Sequence, residues 1–372
     1  MKNLAFWITA TVLIGGVVAV ASGIGDEGRM PELDGAVAWV NSAPLSSKAL
    51  RGKVVLVNFW TYSCINSLRE LPYMKAWMAK YKDAGLVVIG VHAPEFGFES
   101  DPVNVKNAVS DLNVAYPIPI DSNHSIWTNF RNEYWPADYF IDGKGRIRYH
   151  HFGEGEYEKS ERVIKTLLTE NGATGLDESI VHIKAEGSEA PPGNDVQSPE
   201  TYIGYARAES FASPERMARE SRRIYSPPAR PGLNQWGLGG SWNLGGERAT
   251  LESAPGKIVF RFHSRDLHMI LGPSKNRTPV RFKVKVNGAP GDDHGSDSAA
   301  DGTGEVRQPR MYQLIRQKGL IRDVTFEIEF LDPGVQAFGF TFGQETGRVY
   351  EYDGTRRNGA GAQPGGGGDR HR

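Results

Sequence analysis

An apolar run that changes abruptly into a helical pattern constrains the fold of this chain more than any other feature. The run "KVVLVNFW" ends at Trp60 and is apolar on both faces, which is typical of a central strand covered by helices. Apolar residues then recur at spacings of three and four from Ile65 to Tyr81, which predicts an amphipathic helix. A second apolar run, "GLVVIGVHA", follows that helix. Strand, helix and strand in this order predict a βαβ unit.

The residues after this unit extend it into a complete α/β domain. The segment "DYFIDGKGRIRYHHF" predicts a hairpin around a glycine turn, and "EYEKSERVIKTLLTENG" predicts a closing helix. We therefore expect residues 30–172 to form a mixed central sheet flanked by helices. A chain of 372 residues with 39% hydrophobic and 23% charged residues is globular and long enough for a second domain.

The second half of the chain has a different pattern. Alternating, β-rich runs divided by Gly, Pro and Asp predict an all-β sandwich or jelly-roll domain over residues 199–345. Residues 173–198 have the composition of a linker, and the Gly-rich tail 346–372 is expected to be disordered. Trp236 and Trp242 lie among glycines, and packing beneath the sandwich is favoured over a sugar-stacking platform for them.

The N-terminus indicates export. A basic Lys2 precedes an uncharged run from Leu4 to Ala21, and "AVA" at its end resembles a cleavage site. We expect residues 1–22 to be a secretory signal or a single membrane anchor, and both alternatives remain open. The protein is then periplasmic or anchored on the outer face of the cytoplasmic membrane. A net charge of −1 gives no indication of a nucleic-acid partner.

Cys64 is the only cysteine of the chain, so an intrachain disulfide is excluded. It stands at the predicted start of the first helix, where unpaired N–H groups and the helix dipole favour a thiolate. A buried, inert side chain is the alternative. The histidines show no spacing typical of a metal site, and we expect neither a metal nor a cofactor.

Several longer motifs extend this interpretation through a resemblance. The segments "FWTYSCIN", "VIGVHAPEFGFE", "IWTNFRNEYWPADYFID" and "FGEGEY" resemble TlpA-like thioredoxins, and more closely the periplasmic part of DipZ-type proteins. The segments "SPETYIGYARAESFASPE", "MYQLIRQKG" and "FEIEFLDPGVQAFGFTFG" resemble the carbohydrate-binding-module-like domain that follows in the same family. The resemblance implies a thioredoxin fold for the first domain, and thiol–disulfide exchange as the activity.

The same resemblance implies roles for individual residues. Cys64 matches the nucleophilic cysteine, and Glu70 matches an acidic residue that assists proton movement. Pro136 matches a cis-proline that faces the active-site sulfur, and the backbone before it can pair with an extended substrate. Trp60 and Trp135 are expected to bind the substrate together with Pro136.

Ser67 departs from the family, because it stands where the second cysteine of a C-x-x-C pair is expected. A hydroxyl cannot attack a mixed disulfide, so a monothiol site needs an external thiol to release its product. The expected partners are disulfide- or thiol-bearing envelope proteins or small thiols, and a glycan or protein ligand for the sandwich domain.

The sequence leaves two other functions open. The first is a non-enzymatic binding or scaffold protein of the cell envelope with a degenerate thioredoxin site. The second is a one-cysteine peroxidase, because Thr61 and Cys64 have the T-x-x-C spacing of a peroxiredoxin site and Arg131 is a candidate for its arginine.

Overall fold

A computed structural model of the chain describes residues 24–343. The expected signal or anchor (1–22) and the expected tail (346–372) lie outside the described residues. Within residues 24–343, no helix combines the length and the apolar character needed to cross a membrane.

The N-terminal elements form an α/β part, as predicted. Its strands are β1 (Gly28–Arg29), β2 (Ala38–Val40), β3 (Val54–Trp60), β4 (Leu86–His92), β5 (Ile118–Ile120), β6 (Ala137–Ile141) and β7 (Arg146–Phe152). Its helices are α1 (Ile65–Tyr81), α2 (Pro102–Asp111), α3 (Ser125–Asn129) and α4 (Tyr157–Glu170). The strands form one mixed sheet in the order β1-β7-β6-β3-β4-β5-β2.

The centre of this sheet contains both predicted supersecondary units. Strands β3 and β4 are parallel and joined by α1, which confirms the βαβ unit. Strands β6 and β7 form the antiparallel hairpin, and β6 pairs with β3 so that Asp138 lies opposite Asn58. The carboxyl end of β3, where Cys64 follows, is therefore flanked by β4 on one side and by β6 on the other.

Two apolar layers cover the sheet. Helices α1, α2 and α4 pack on one face, against even-numbered residues of β3 such as Leu56 and Trp60. Helix α3 packs on the opposite face, against odd-numbered residues such as Val57 and Phe59. The strand β3 is consequently buried along its whole length, as its uninterrupted apolar sequence predicts.

The C-terminal elements form a β part, whose named strands pair with one another in antiparallel orientation. Its strands are β8 (Thr201–Tyr202), β9 (Arg222–Tyr225), β10 (Trp236–Leu244), β11 (Ala249–His263), β12 (Asp266–Gly272), β13 (Val280–Val286), β14 (Thr303–Val306), β15 (Arg310–Arg316), β16 (Asp323–Phe330) and β17 (Gln336–Thr341). They belong to one curled sheet that encloses its own apolar core.

The long strand β11 explains the curl. Its second half, from Gly256 to His263, pairs with β16, whereas its first residues, Ala249 and Thr250, pair with β17. Strand β10 follows β11 along both halves, with register shifts around Ser241. The two layers of the expected sandwich are thus joined through one bent strand.

Buried contacts join the α/β part to the β part. The guanidinium of Arg69 in α1 lies 3.4 Å from Glu154 and 3.5 Å from Asp266 of the β part. Met311 of β15 packs into the core beneath α1. The expected linker, residues 173–198, contacts both parts: Ala190 accepts a hydrogen bond from Arg69 of the α/β part, and Gly187 accepts one from Gln313 of the β part.

Candidate active site

Cys64 lies in the short connection between the central strand β3 and helix α1. It is the N-cap residue of α1, and its carbonyl accepts a hydrogen bond of 3.0 Å from the Leu68 amide. Its side chain is partly buried and packs against the core on the α3 side of the sheet. The predicted position of Cys64 at the helix start is confirmed.

Burial raises the pKa of the Cys64 thiol above its ordinary value and is the largest influence on it. The backbone amide and hydroxyl of Ser67 lower this pKa, whereas the carboxylates of Glu200 and Glu95 raise it. The first turn of the helix therefore stabilises the thiolate, as the sequence predicts. Burial destabilises the thiolate more strongly than the helix start stabilises it. The net effect raises the pKa of the Cys64 thiol, which favours the protonated form in the resting site.

Ser67 is the third residue of α1 and lies one turn beyond Cys64. Its side chain is buried, and its Oγ has no hydrogen-bond partner of ordinary geometry within residues 24–343. The hydroxyl therefore lies close enough to influence the thiol but is not fixed by another group. A sulfur at this position would stand beside Cys64, as the second member of a C-x-x-C pair does.

Glu70 belongs to a buried polar trio beneath the sheet. The Asn58 side-chain amide donates to Glu70 at 2.8 Å and to Asp138 at 2.9 Å, and all three side chains are buried. Burial and the neighbouring Asp138 raise the pKa of Glu70, and burial raises the pKa of Asp138 to about 7. Because two adjacent buried carboxylates cannot both be charged, the pair retains a proton near neutral pH.

The sequence reasoning found Glu70 and missed its two partners. Asn58 is the one polar residue in the apolar run of β3, and Asp138 occupies the paired position of β6. A polar residue in a strand buried on both faces requires a hydrogen-bond partner, so Asn58 itself was the available signal.

The three residues expected to bind substrate are placed differently. The peptide bond between Trp135 and Pro136 is cis, and Trp135 belongs to the core cluster against which Cys64 packs. Trp60 points to the other face of the sheet, beneath α1, and is completely buried. Trp60 therefore cannot line a groove beside Cys64, and the expectation for this residue is corrected.

Thr61, on which the peroxidase interpretation depends, is engaged elsewhere. Its hydroxyl donates to the buried carboxylate of Glu99 at 2.5 Å. Arg131 is exposed in the turn after α3. The threonine hydroxyl is thus directed to a carboxylate, and a peroxide at Cys64 would need that contact to break.

The β part lies next to this site. Tyr202 and Arg207 donate to Glu95 at 2.5 and 3.3 Å, and Glu247 accepts from the Gly97 amide at 2.7 Å. Phe338 packs on the aromatic rings of the same loop. The loop after β4 therefore contacts the β part on one side and the turn before Cys64 on the other.

Replacing Glu200 by glutamine is expected to lower the pKa of Cys64, because Glu200 is a carboxylate of the β part whose charge disfavours the thiolate. We expect iodoacetamide to alkylate the variant about twofold faster at pH 8, a change of about 0.3 in pKa. The control is Glu252→Gln, which removes an exposed carboxylate of β11. Equal rates for both variants would contradict an electrostatic contribution of the β part to the site.

Two tryptophans of the β part and two histidines are fully buried. Trp236 and Trp242 are fully buried in the core of the β part, which confirms the packing interpretation. His92 and His268 are also buried, and burial lowers the pKa of each to about 3. Within residues 24–343, no group of three His, Cys, Asp or Glu side chains is arranged to hold a metal ion.

Two family models match this chain, one in the α/β part and the other in the β part. The model of the AhpC/TSA family matches residues 30–150. The model described as "Thioredoxin like C-terminal domain" matches residues 198–343.

Individual relatives agree with these models. Protein DipZ of Mycobacterium bovis is 33% identical over 85% of this chain and 43% of its own length. This chain therefore spans about two fifths of that relative. The thiol-disulfide oxidoreductase YkuV of Bacillus subtilis is 32% identical over 38% of this chain and 95% of its own length. A solution structure of an oxidised thioredoxin-like protein, 33% identical, covers 38% of this chain and 95% of its own, with a TM-score of 0.36.

Proposed function

Because the chain belongs to the DipZ- and TlpA-like family of thioredoxin-fold proteins, we propose that it exchanges thiols and disulfides through the single sulfur of Cys64. The observation that supports this most strongly is the position of Cys64 as N-cap of α1, directly after the central strand. Ser67 one turn later makes the site a monothiol site, since a hydroxyl cannot resolve a mixed disulfide.

The reaction then has two balanced steps. The Cys64 thiolate attacks one sulfur of a disulfide, forms a mixed disulfide, and releases the other sulfur as a thiolate that takes up the proton lost by Cys64. An external thiolate next attacks the partner's sulfur in the mixed disulfide and restores Cys64. The substrate disulfide exchanges one of its halves, and the protein undergoes no net oxidation.

The surroundings of Cys64 suggest how the first step is favoured. The thiol has a raised pKa, so it must lose its proton as the partner binds. The Ser67 amide and hydroxyl lower the pKa, so they stabilise the charge that forms. We propose that Glu70 with Asp138 assists the movement of that proton, and that the backbone at Trp135 and Pro136 aligns the partner chain.

The sequence supports a proposal for the place of action and for the partners. The apolar run from Leu4 to Ala21 supports export, so the substrates are disulfide- or thiol-bearing envelope proteins or small thiols. The glycan or protein ligand of the β part is likewise a proposal. Because Trp236 and Trp242 are buried, such a ligand would bind through other residues.

Oxidised glutathione provides a direct test. The folded protein is expected to acquire one glutathione per chain at neutral pH, detected by intact mass, and to lose it when reduced glutathione is added. The Cys64→Ser variant should acquire none. A wild-type protein that is modified only after denaturant is added would refute the proposed exchange.

A thiol that reacts only in the denatured protein would favour a second function, that of a non-enzymatic binding protein of the envelope. The observation in its favour is the raised pKa of a partly buried thiol that lacks a resolving cysteine. A binding protein would retain its partners after Cys64→Ser, whereas an exchange protein would lose its covalent complexes.

A further inference from the structure

Glu99 is a buried acid that takes no part in the exchange reaction proposed for Cys64. It follows β4 in the loop formed by residues 95–100, and its side chain is completely buried. Its carboxylate nevertheless accepts five hydrogen bonds, three at Oε1 and two at Oε2. A carboxylate with this number of donors fixes the segments that supply them.

The three donors to Oε1 come from the turn that carries the nucleophile. The Thr61 and Ser63 hydroxyls donate at 2.5 and 2.6 Å, and the Ser63 amide donates at 3.2 Å. Ser63 is bonded directly to Cys64 along the chain. Glu99 therefore holds both ends of the three-residue turn between β3 and the thiol.

The two donors to Oε2 come from the loop of Glu99 itself. The Glu95 and Phe96 amides donate at 2.7 and 2.9 Å. Tyr202 and Arg207 of the β part bind the Glu95 side chain, and the Phe96 ring packs on Phe338. One oxygen of Glu99 thus holds the Cys64 turn, and the other holds the loop on which the β part is docked.

We propose that Glu99 is a positioning residue for Cys64, which fixes the shielded position of the thiol and links it to the docked β part. The inference deepens the proposed exchange function and rests on it for its biological meaning. A glutamine at this position has one oxygen and one amide nitrogen, so it cannot accept from both sets of donors. The Cys64 turn or the docking loop then loses its partner.

The burial of Cys64 determines whether Glu99→Gln speeds or slows the alkylation of its thiol. Burial is the largest influence that raises the pKa of the thiol. A loosened turn admits water to the sulfur, which lowers its pKa and speeds alkylation. Glu99→Gln is therefore expected to accelerate alkylation by iodoacetamide at pH 7.5 by about three- to tenfold, with an apparent pKa lower by about 0.5 to 1.

A matched control separates positioning from general loss of stability. Glu161 is also fully buried and accepts from Trp77, Lys80, Tyr81 and the Val181 amide, in the contact between α4 and the end of α1 opposite to Cys64. Glu161→Gln is expected to lower the melting temperature and leave the pH profile of Cys64 alkylation unchanged. If Glu99→Gln lowers the melting temperature but leaves that pH profile at the wild-type position, the proposal is overturned.

A second variant keeps the test decisive if Glu99→Gln does not fold. Ser63→Ala removes one hydroxyl donor and leaves the backbone contacts, and it should accelerate alkylation in the same direction. An unchanged pH profile in Ser63→Ala would then overturn the proposal. The glutathione experiment on the wild type is independent: a wild type that forms no adduct refutes exchange, while a shifted profile in the variants still supports positioning.

Discussion

A cysteine in place of Ser67 is expected to convert the site into a working dithiol. Residue 67 lies one helical turn from Cys64, and its buried Oγ has no hydrogen-bond partner of ordinary geometry within residues 24–343, although the hydroxyl lowers the pKa of the Cys64 thiol. The substitution therefore breaks no hydrogen bond of ordinary geometry. The new sulfur can attack a mixed disulfide at Cys64 from within the same molecule, where its effective concentration far exceeds that of an added thiol.

The gain in reductase activity is measured as the rate at which insulin disulfides are reduced, with dithiothreitol as electron donor. We expect Ser67→Cys to exceed the wild type by about 100-fold at millimolar thiol, because intramolecular resolution replaces a bimolecular step. Mild oxidation should remove both alkylatable thiols of the variant. The control combines Cys64→Ser with Ser67→Cys, which keeps one sulfur but at the resolving position. A variant that keeps two free thiols after oxidation would show that the site geometry does not support a dithiol.

Loss of the Arg69 guanidinium is expected to have the largest effect on stability. Arg69 is buried, lies between Glu154 and Asp266, and donates to the Ala190 carbonyl at 3.1 Å. Arg69→Leu removes the guanidinium and leaves both carboxylates buried, which we expect to lower the free energy of unfolding by about 3 kcal/mol. Arg316 still pairs with Asp266, so the loss should remain near the lower end of the range for buried ion pairs.

Urea unfolding measures this loss. The control is Arg162→Leu, which removes an exposed guanidinium that pairs with Glu158 on the surface of α4. Such a surface pair contributes about 0.5 kcal/mol or less. If both variants lose the same small amount, the network between α1 and the β part does not hold the two together.

The α/β part could be predicted largely from local pattern. The strand β3 and the start of α1 at Ile65 were visible because a run buried on both faces changes there to helical spacing. Asp101 caps α2 and Pro102 occupies its first position, and both residues are favoured at a helix start. The hairpin β6–β7 follows from strand-like runs around a glycine turn.

The site could be predicted only where its residues are adjacent in sequence. Cys64 and Ser67 share one helical turn, so their relation is local. The trio of Asn58, Glu70 and Asp138 depends on the pairing of β6 with β3, which periodicity does not determine. Trp60 was misplaced because strand alternation directs it beneath α1, and the sequence of a strand that is apolar on both faces does not distinguish the two sides.

The contacts with the β part could not be predicted at all. Glu95 and Glu200 are ordinary acidic residues in sequence, and their influence on the pKa of Cys64 arises from packing between segments far apart in the chain. The contact of Glu99 with Thr61 and Ser63 likewise joins distant segments. Of these residues Glu99 is the one that is fully buried, and because burying a charge is costly it is surrounded by hydrogen-bond donors.

The most direct test of the central claim, a single attacking sulfur that depends on an external thiol, is the fate of a labelled mixed disulfide. Cys64 is allowed to react with an aromatic disulfide whose released thiol is coloured, and excess reagent is removed. We predict that the wild type keeps its label without added thiol and releases it at a rate proportional to added glutathione, whereas Ser67→Cys releases it spontaneously. A wild type that takes up no label while folded, or that loses it without added thiol, would contradict the account.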